Sequence, residues 1–151
     1  NILIGCFEIL AVLVIFGCAV LLLRRNVLKL KRFWAREMTA WPRSDANYIL
    51  IMEIILMLLF LTMNSSDQAL HAQHYTQTGH FWISSFFTPF FSALSNAALI
   101  NIERSCWWLH ICGVLIFLNY LPYSKHFHII LAFPNAYYGY LQPKGKLPYM
   151  P

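Results

Sequence analysis

From Ile2 to Leu23 the chain runs through 22 residues with a single charge, Glu8. At about 1.5 Å rise per residue such a run makes a helix of roughly 33 Å, enough to cross the hydrocarbon core of a bilayer, about 30 Å thick. The composition agrees with this constraint. The 151 residues are 59% hydrophobic and 11% charged, where soluble domains carry roughly 25% charged residues. The chain therefore reads as an all-α integral membrane protein. Its net charge of +5 is clustered, which makes it a topology signal and not the footprint of a nucleic-acid partner. The chain opens on Asn1, and no basic n-region or A-x-A cleavage site precedes the first apolar run. That run does not read as a signal peptide, and the expectation is a piece of a longer polypeptide.

Charge sets the expected topology. Between Arg24 and Arg43, the residues Arg24, Arg25, Lys29, Lys31, Arg32, Arg36 and Arg43 face a single acid, Glu37, so the loop 24–46 is expected on the cytoplasmic side of a bacterial inner membrane. A second span is expected over about 48–63, interrupted by Glu53. Asn64 to Gly79 is polar, holds His71 and His74 with His80 next to it, and is expected outside. Residues 81–102 are apolar but carry Thr88-Pro89 at their centre, with Ser84, Ser85, Ser92, Ser95, Asn96 and Asn101 around it. Polar atoms at that density are costly in lipid, so the segment is expected as an interfacial or re-entrant helical excursion. A spanning 81–102 would leave Lys125, Lys144 and Lys146 outside. Three spans, 2–23, 48–63 and 105–131, keep them in the cytoplasm, and Glu103 offsets Arg104 on the other side. Residues 1–132 then form the membrane domain and 133–151 a cytoplasmic linker.

The third expected span carries the clearest candidate chemistry. His110 and His128 lie 18 residues apart. On one continuous helix that is five turns and roughly 27 Å, with both imidazoles on one side. Such a helix offers an iron ligand near each membrane face, as a cytochrome b requires. His126 projects roughly 160° from His110 and is assigned to headgroups or water. Structural readings stand beside these: a helix–helix hydrogen bond for His110 and an interfacial position for His128. Haem b takes two axial ligands, and the first two spans hold no His. The partner ligands are expected from upstream helices, with His71, His74 or His80 as a poorer source for His110. Glu8 and Glu53 are costly in lipid. They read either as proton-exchange groups for a quinone or as acids bonded to a neighbouring helix. Lys125 is the third quinone or proton candidate. Cys6, Cys18, Cys106 and Cys112 match no zinc, iron–sulfur or haem-attachment spacing and read as small hydrophobes.

The stretch His110-Ile-Cys-Gly-Val-Leu-Ile-Phe-Leu-Asn-Tyr-Leu-Pro-Tyr-Ser-Lys-His-Phe-His128 resembles the final transmembrane helix of the respiratory nitrate reductase gamma-subunit family. Arg24-Arg-Asn-Val-Leu-Lys-Leu-Lys-Arg-Phe-Trp34, Leu58-Leu-Phe-Leu-Thr-Met-Asn64 and Tyr123-Ser-Lys-His-Phe-His-Ile-Ile-Leu-Ala-Phe-Pro-Asn135 resemble membrane-anchored iron–sulfur proteins of Bacteroidetes related to heterodisulfide reductase. The resemblance implies a gamma-like helical bundle with two b haems. His110 would serve the outer haem and His128 the inner one. It implies menaquinone as the membrane carrier. It also implies iron–sulfur clusters in a downstream cytoplasmic domain and electron-transfer flavoprotein or other respiratory subunits as partners. The chain departs from the family in lacking upstream helices and in ending before any cluster motif. The expected function is electron transfer between an iron–sulfur module and the quinone pool, this segment carrying electrons rather than substrate chemistry. The alternatives are a non-redox membrane anchor and, third, a transporter using the two membrane carboxylates.

Overall fold

The computed structural model describes residues 2–29, 41–73, 81–124 and 127–139, and the secondary structure among them is entirely helical. Helix α1 spans Ile2–Asn26, α2 Trp41–Gln73, α3 Ser84–Phe91 and α4 Asn96–Tyr120. A 3-10 turn follows at Leu121–Tyr123, then α5 at Phe127–Tyr137. Three stretches, Ile2–Asn26, Ser44–His71 and Asn96–Tyr123, are long and apolar enough to cross a membrane.

The buried positions of α1 are Gly5, Glu8, Ala11, Cys18 and Arg25. They recur at intervals of three and seven, which places them on one stripe of a helix. Three of the five are small, and small residues let membrane helices approach closely. Phe7, Leu10, Leu13 and Phe16 are exposed, as a lipid-facing surface requires. The helix ends where the Leu28 amide donates to Leu23 O at 3.1 Å and Lys29 takes a left-handed φ of 43°.

Helix α2 is the element on which α1, α3 and α4 all pack. Its pairings show that both long neighbours run antiparallel to it. Asn64 meets Glu8 and Asn47 meets Asn26 on the α1 side. Leu56 meets His110 and Asp45 meets Tyr120 on the α4 side. Two glycines make these approaches possible. A Cβ on Gly113 would stand 2.6 Å from Leu56 Cδ2, and one on Gly5 would stand 3.0 Å from the Trp82 indole.

The helix bounds differ from the sequence expectation in three places. Helix α2 does not stop near Met63 but continues to Gln73. Asn64, Ser65 and Ser66, expected in an outside loop, are buried within the assembly. Asn64 and Ser65 find partners on α1 and α3, which offsets the desolvation cost of burying them, while Ser66 Oγ is buried without a hydrogen-bond partner. Helix α4 begins at Asn96, nine residues before Ser105. Ser95 provides the reason: its backbone is extended and its side chain accepts from the Ala98 amide, as an N-cap does. Only α3 and the turn after it remain of the excursion expected over 81–102. Finally, 105–131 is not one helix. Pro122 lies in the 3-10 turn and Ser124 is extended, so α4 and α5 are separate rods. Phe133 to Tyr137, expected to open the linker, complete α5.

Candidate functional site: two polar layers and a histidine between them

One polar layer forms where α1, the end of α2 and the start of α3 meet. Glu8 is fully buried there. Its carboxylate accepts from the Asn64 amide at 3.2 Å, the Ile83 backbone amide at 2.9 Å and the Ser84 hydroxyl. Ile83 is the N-cap residue of α3, so a carboxylate from α1 closes the amide end of another helix. That end carries a partial positive charge, which favours an anion. Around this core Ser65 Oγ reaches Leu61 O at 2.8 Å and Ser84 O at 3.3 Å. Thr88 Oγ1 reaches Ser84 O at 3.2 Å and Gln68 Oε1 at 3.3 Å.

A second polar layer lies toward the other ends of α1 and α2. Asp45 is fully buried and accepts from the Tyr120 hydroxyl of α4. Asn47 Nδ2 donates to Asn26 Oδ1 at 3.2 Å, and Arg25 is buried at the same end. Asp45 and Asn64 are 19 residues apart on α2, roughly 28 Å by helical rise. The layers are thus separated by about the thickness of a hydrocarbon core.

His110 stands between them. Its Nδ1 lies 2.9 Å from Leu56 O, and the Phe60 ring centroid is 6.1 Å from its own. Leu56 is roughly 12 Å along α2 from Asn64 and roughly 16 Å from Asp45. His110 is the fifteenth residue of α4, so it is well inside that helix and not at its end. His128 is exposed on the first turn of α5, beyond the break at Pro122. The two imidazoles therefore do not ride one rod with a shared azimuth. The five-turn argument fails because the proline ring and the extended Ser124 interrupt the register.

The remaining candidates separate. Glu8 belongs to the first polar layer. Glu53 is half-buried on α2 close to Cys18 of α1 and joins neither layer. Lys125 lies outside the described residues, as do His74, His80 and His126. His71 bonds within its own helix, to Asp67 O at 2.8 Å and to the Asp67 carboxylate at 3.0 Å. It is roughly 22 Å along α2 from Leu56, too far to share a metal with His110. Among the described residues no three His, Cys, Asp or Glu side chains cluster as a metal site.

Asp45, Asn64, Ser84 and Tyr120 are the polar groups that sequence reasoning did not select. Asp45 had one visible signal, as the sole acid between Met38 and Met52. Beside it lies a cavity of about 290 Å³ between α2 and α4, lined by Tyr48, Ile49, Met52, Ile116, Phe117 and Tyr120.

Comparison with known proteins adds a partial likeness. Over 56 residues the chain is 34% identical to the probable iron–sulfur-binding oxidoreductase FadF of Bacillus subtilis, a match covering 37% of this chain and 8% of that protein. Over 60 residues it is 28% identical to the EtfAB:quinone oxidoreductase of Syntrophomonas wolfei, covering 40% of this chain and 8% of that one. The match thus spans about 8% of the length of these curated relatives. No family model and no solved structure matches the chain. The chain is a helical protein with three helices apolar enough to span a membrane and a partial similarity to iron–sulfur oxidoreductases.

Proposed function

We propose that the chain is part of a membrane electron-transfer module that links an iron–sulfur redox protein to a quinone, with His110 as an axial ligand of a b haem. The observation that carries the haem part is the His110 hydrogen bond. An imidazole that donates Nδ1–H to a backbone carbonyl, here Leu56 O at 2.9 Å, has its tautomer and ring plane fixed and keeps Nε2 available for iron. Metal-bound histidines are held in this way, which supports the reading. A haem there would supply one-electron transfer in a low-dielectric surround. The second axial ligand would come from a helix other than those described. His128 is proposed as a ligand of a second haem in the same manner, on the far side of the Pro122 break.

The quinone and the iron–sulfur partner are drawn from the relatives. One is described as an iron–sulfur-binding oxidoreductase and the other as an EtfAB:quinone oxidoreductase. Menaquinone and electron-transfer flavoprotein are the specific carriers proposed. The Asp45 layer, which adjoins Arg24, Arg25 and Lys29, is placed on the cytoplasmic side by the positive-inside rule. Electrons would then enter at that face from the iron–sulfur partner.

A non-redox anchor remains the second reading. Among the described residues His110 has an aromatic neighbour, Phe60, and no second His at its depth. A reduced-minus-oxidised spectrum of the full-length protein in mild detergent separates the two. The electron-transfer reading expects a b-type band that falls by about half in His110→Ala, with the helical circular dichroism unchanged. Absence of the band from the unsubstituted protein, or a band indifferent to His110→Ala and His128→Ala, assigns the chain to the anchor class.

A further inference from the structure

We infer that the cavity between α2 and α4 binds the ring of a lipid-soluble quinone, with the Tyr120 hydroxyl and buried Asp45 at its polar end. The inference rests on the quinone half of the proposed function and deepens it by naming the site.

The cavity is built for a flat aromatic guest. Three of its six lining residues are aromatic: Tyr48, Phe117 and Tyr120. Ile49, Met52 and Ile116 complete an apolar wall. Its volume of about 290 Å³ lies at the small end of the range for ligand pockets, roughly 300–1,000 Å³. That is room for a bicyclic ring and not for a macrocycle. Both walls belong to helices whose outer faces are apolar. Tyr48 and Ile116 are themselves 60% and 64% exposed, so an isoprenoid tail leaves the slot directly into lipid.

The polar end distinguishes a quinone from an acyl chain. Tyr120 lines the cavity, and its hydroxyl is bonded to an Asp45 carboxyl that has no exposed surface. A carboxyl taken out of water at the edge of an apolar slot is expensive, and such residues in membrane helices pair with one another or mark substrate and proton paths. An acyl chain has no use for a hydroxyl backed by an acid. A quinone carbonyl does: when Asp45 carries a proton the carboxyl donates to the phenol oxygen, and the phenol hydrogen, turned away from Asp45, donates to the carbonyl. Reduction of the ring takes two electrons and two protons and turns both carbonyl oxygens into hydroxyls. The electrons are those of the iron–sulfur partner. One proton passes from the Tyr120 hydroxyl to the carbonyl oxygen and is replaced through Asp45 from the aqueous face. The other is taken directly from water at the mouth of the slot. Met52 is half-buried in the wall and away from this polar end, so enlarging it fills the slot without touching the Tyr120–Asp45 pair.

The test measures binding and needs no turnover. The full-length protein in lipid nanodiscs is titrated with 2-heptyl-4-hydroxyquinoline N-oxide, a bicyclic quinone analogue whose fluorescence is quenched on binding. Met52→Trp should weaken binding at least tenfold and Tyr120→Phe about threefold to tenfold, both with unchanged far-ultraviolet circular dichroism. Ile116→Phe, from the opposite wall, serves if Met52→Trp does not fold, and the same tenfold loss is expected of it. Binding of undiminished affinity in the filled-slot variant places the quinone elsewhere and overturns this site while leaving the proposed function standing. No binding by the unsubstituted protein overturns both. Loss in Met52→Trp with full affinity in Tyr120→Phe and Asp45→Asn reduces the cavity to a lipid-chain groove and overturns the role given to the pair.

Discussion

Glu8 shows how one residue can fix three helices. Its carboxylate takes donors from α2 and from the first residues of α3, and it has no exposed surface. Removing it leaves buried donors without an acceptor, at about 1–3 kcal/mol each. Glu8→Ala should therefore lower stability by about 3 kcal/mol or more, read as the thermal midpoint in detergent. Glu8→Gln should cost less, because an amide oxygen still accepts. Glu53, which belongs to neither polar layer, should tolerate Glu53→Gln with a change of under about 1 kcal/mol. If the two positions respond alike, Glu8 is not the tie that its bonds imply. Gly113 is the second point of leverage. A methyl group there would meet Leu56 Cδ2 at 2.6 Å, so Gly113→Ala should destabilise by about 1–3 kcal/mol through overpacking. Leu56→Ala in the same chain should return part of that loss. The same contact orients His110, so the b-type band should weaken or shift in Gly113→Ala if His110 holds iron.

At the scale of elements, the lesson lies in what polar residues can hide. The apolar run of α1 and the core of α2 were legible because hydropathy depends on composition alone. The tail of α2 was not. Asn64 and Ser65 look like loop residues, and their partners, Glu8 and Ser84, are 56 and 19 positions away. Long-range pairing of that kind leaves no mark in a local window. The start of α4 was legible in principle, since Ser95 stands before Asn96-Ala-Ala-Leu99, but the surrounding serines and asparagines outweighed it. The end of α4 was missed although Pro122 was in view. A strong reading of the His110–His128 spacing carried the helix through a residue that breaks helices. The sequence offers His110 as a candidate but not its Leu56 carbonyl partner, because a helix carbonyl accepting a second bond has no residue signature. The Ser95 cap gives a prediction at this scale. Ser95→Ala should cost about 1 kcal/mol and speed amide exchange over residues 96–99, with the rest of α4 unaffected. Uniform loss of protection along α4 would show that Ser95 does more than cap.

Among the described residues two long helices, α1 and α4, flank α2 and run antiparallel to it, with a polar layer at each end. Ser44 and Ser92 are exposed near opposite ends, so the arrangement can be read from outside. Cysteines placed singly at 44 and 92, with the native four replaced by Ala, should react with a membrane-impermeant maleimide from opposite faces of sealed vesicles. Labelling of both from one face would reject three membrane crossings. The position of Glu8 has a further consequence for how the chain is made. Its acceptor duty involves Ile83 and Ser84, some 75 residues later in the chain. At about 5–20 residues per second on the ribosome, those donors emerge roughly 4–15 s after Glu8 itself. Until then Asn64 is the one donor of the three to have emerged, so early in biogenesis the first helix carries an under-bonded acid that favours the headgroup region. Helix α3, the shortest of the five, then acts as the latch that completes the layer around Glu8.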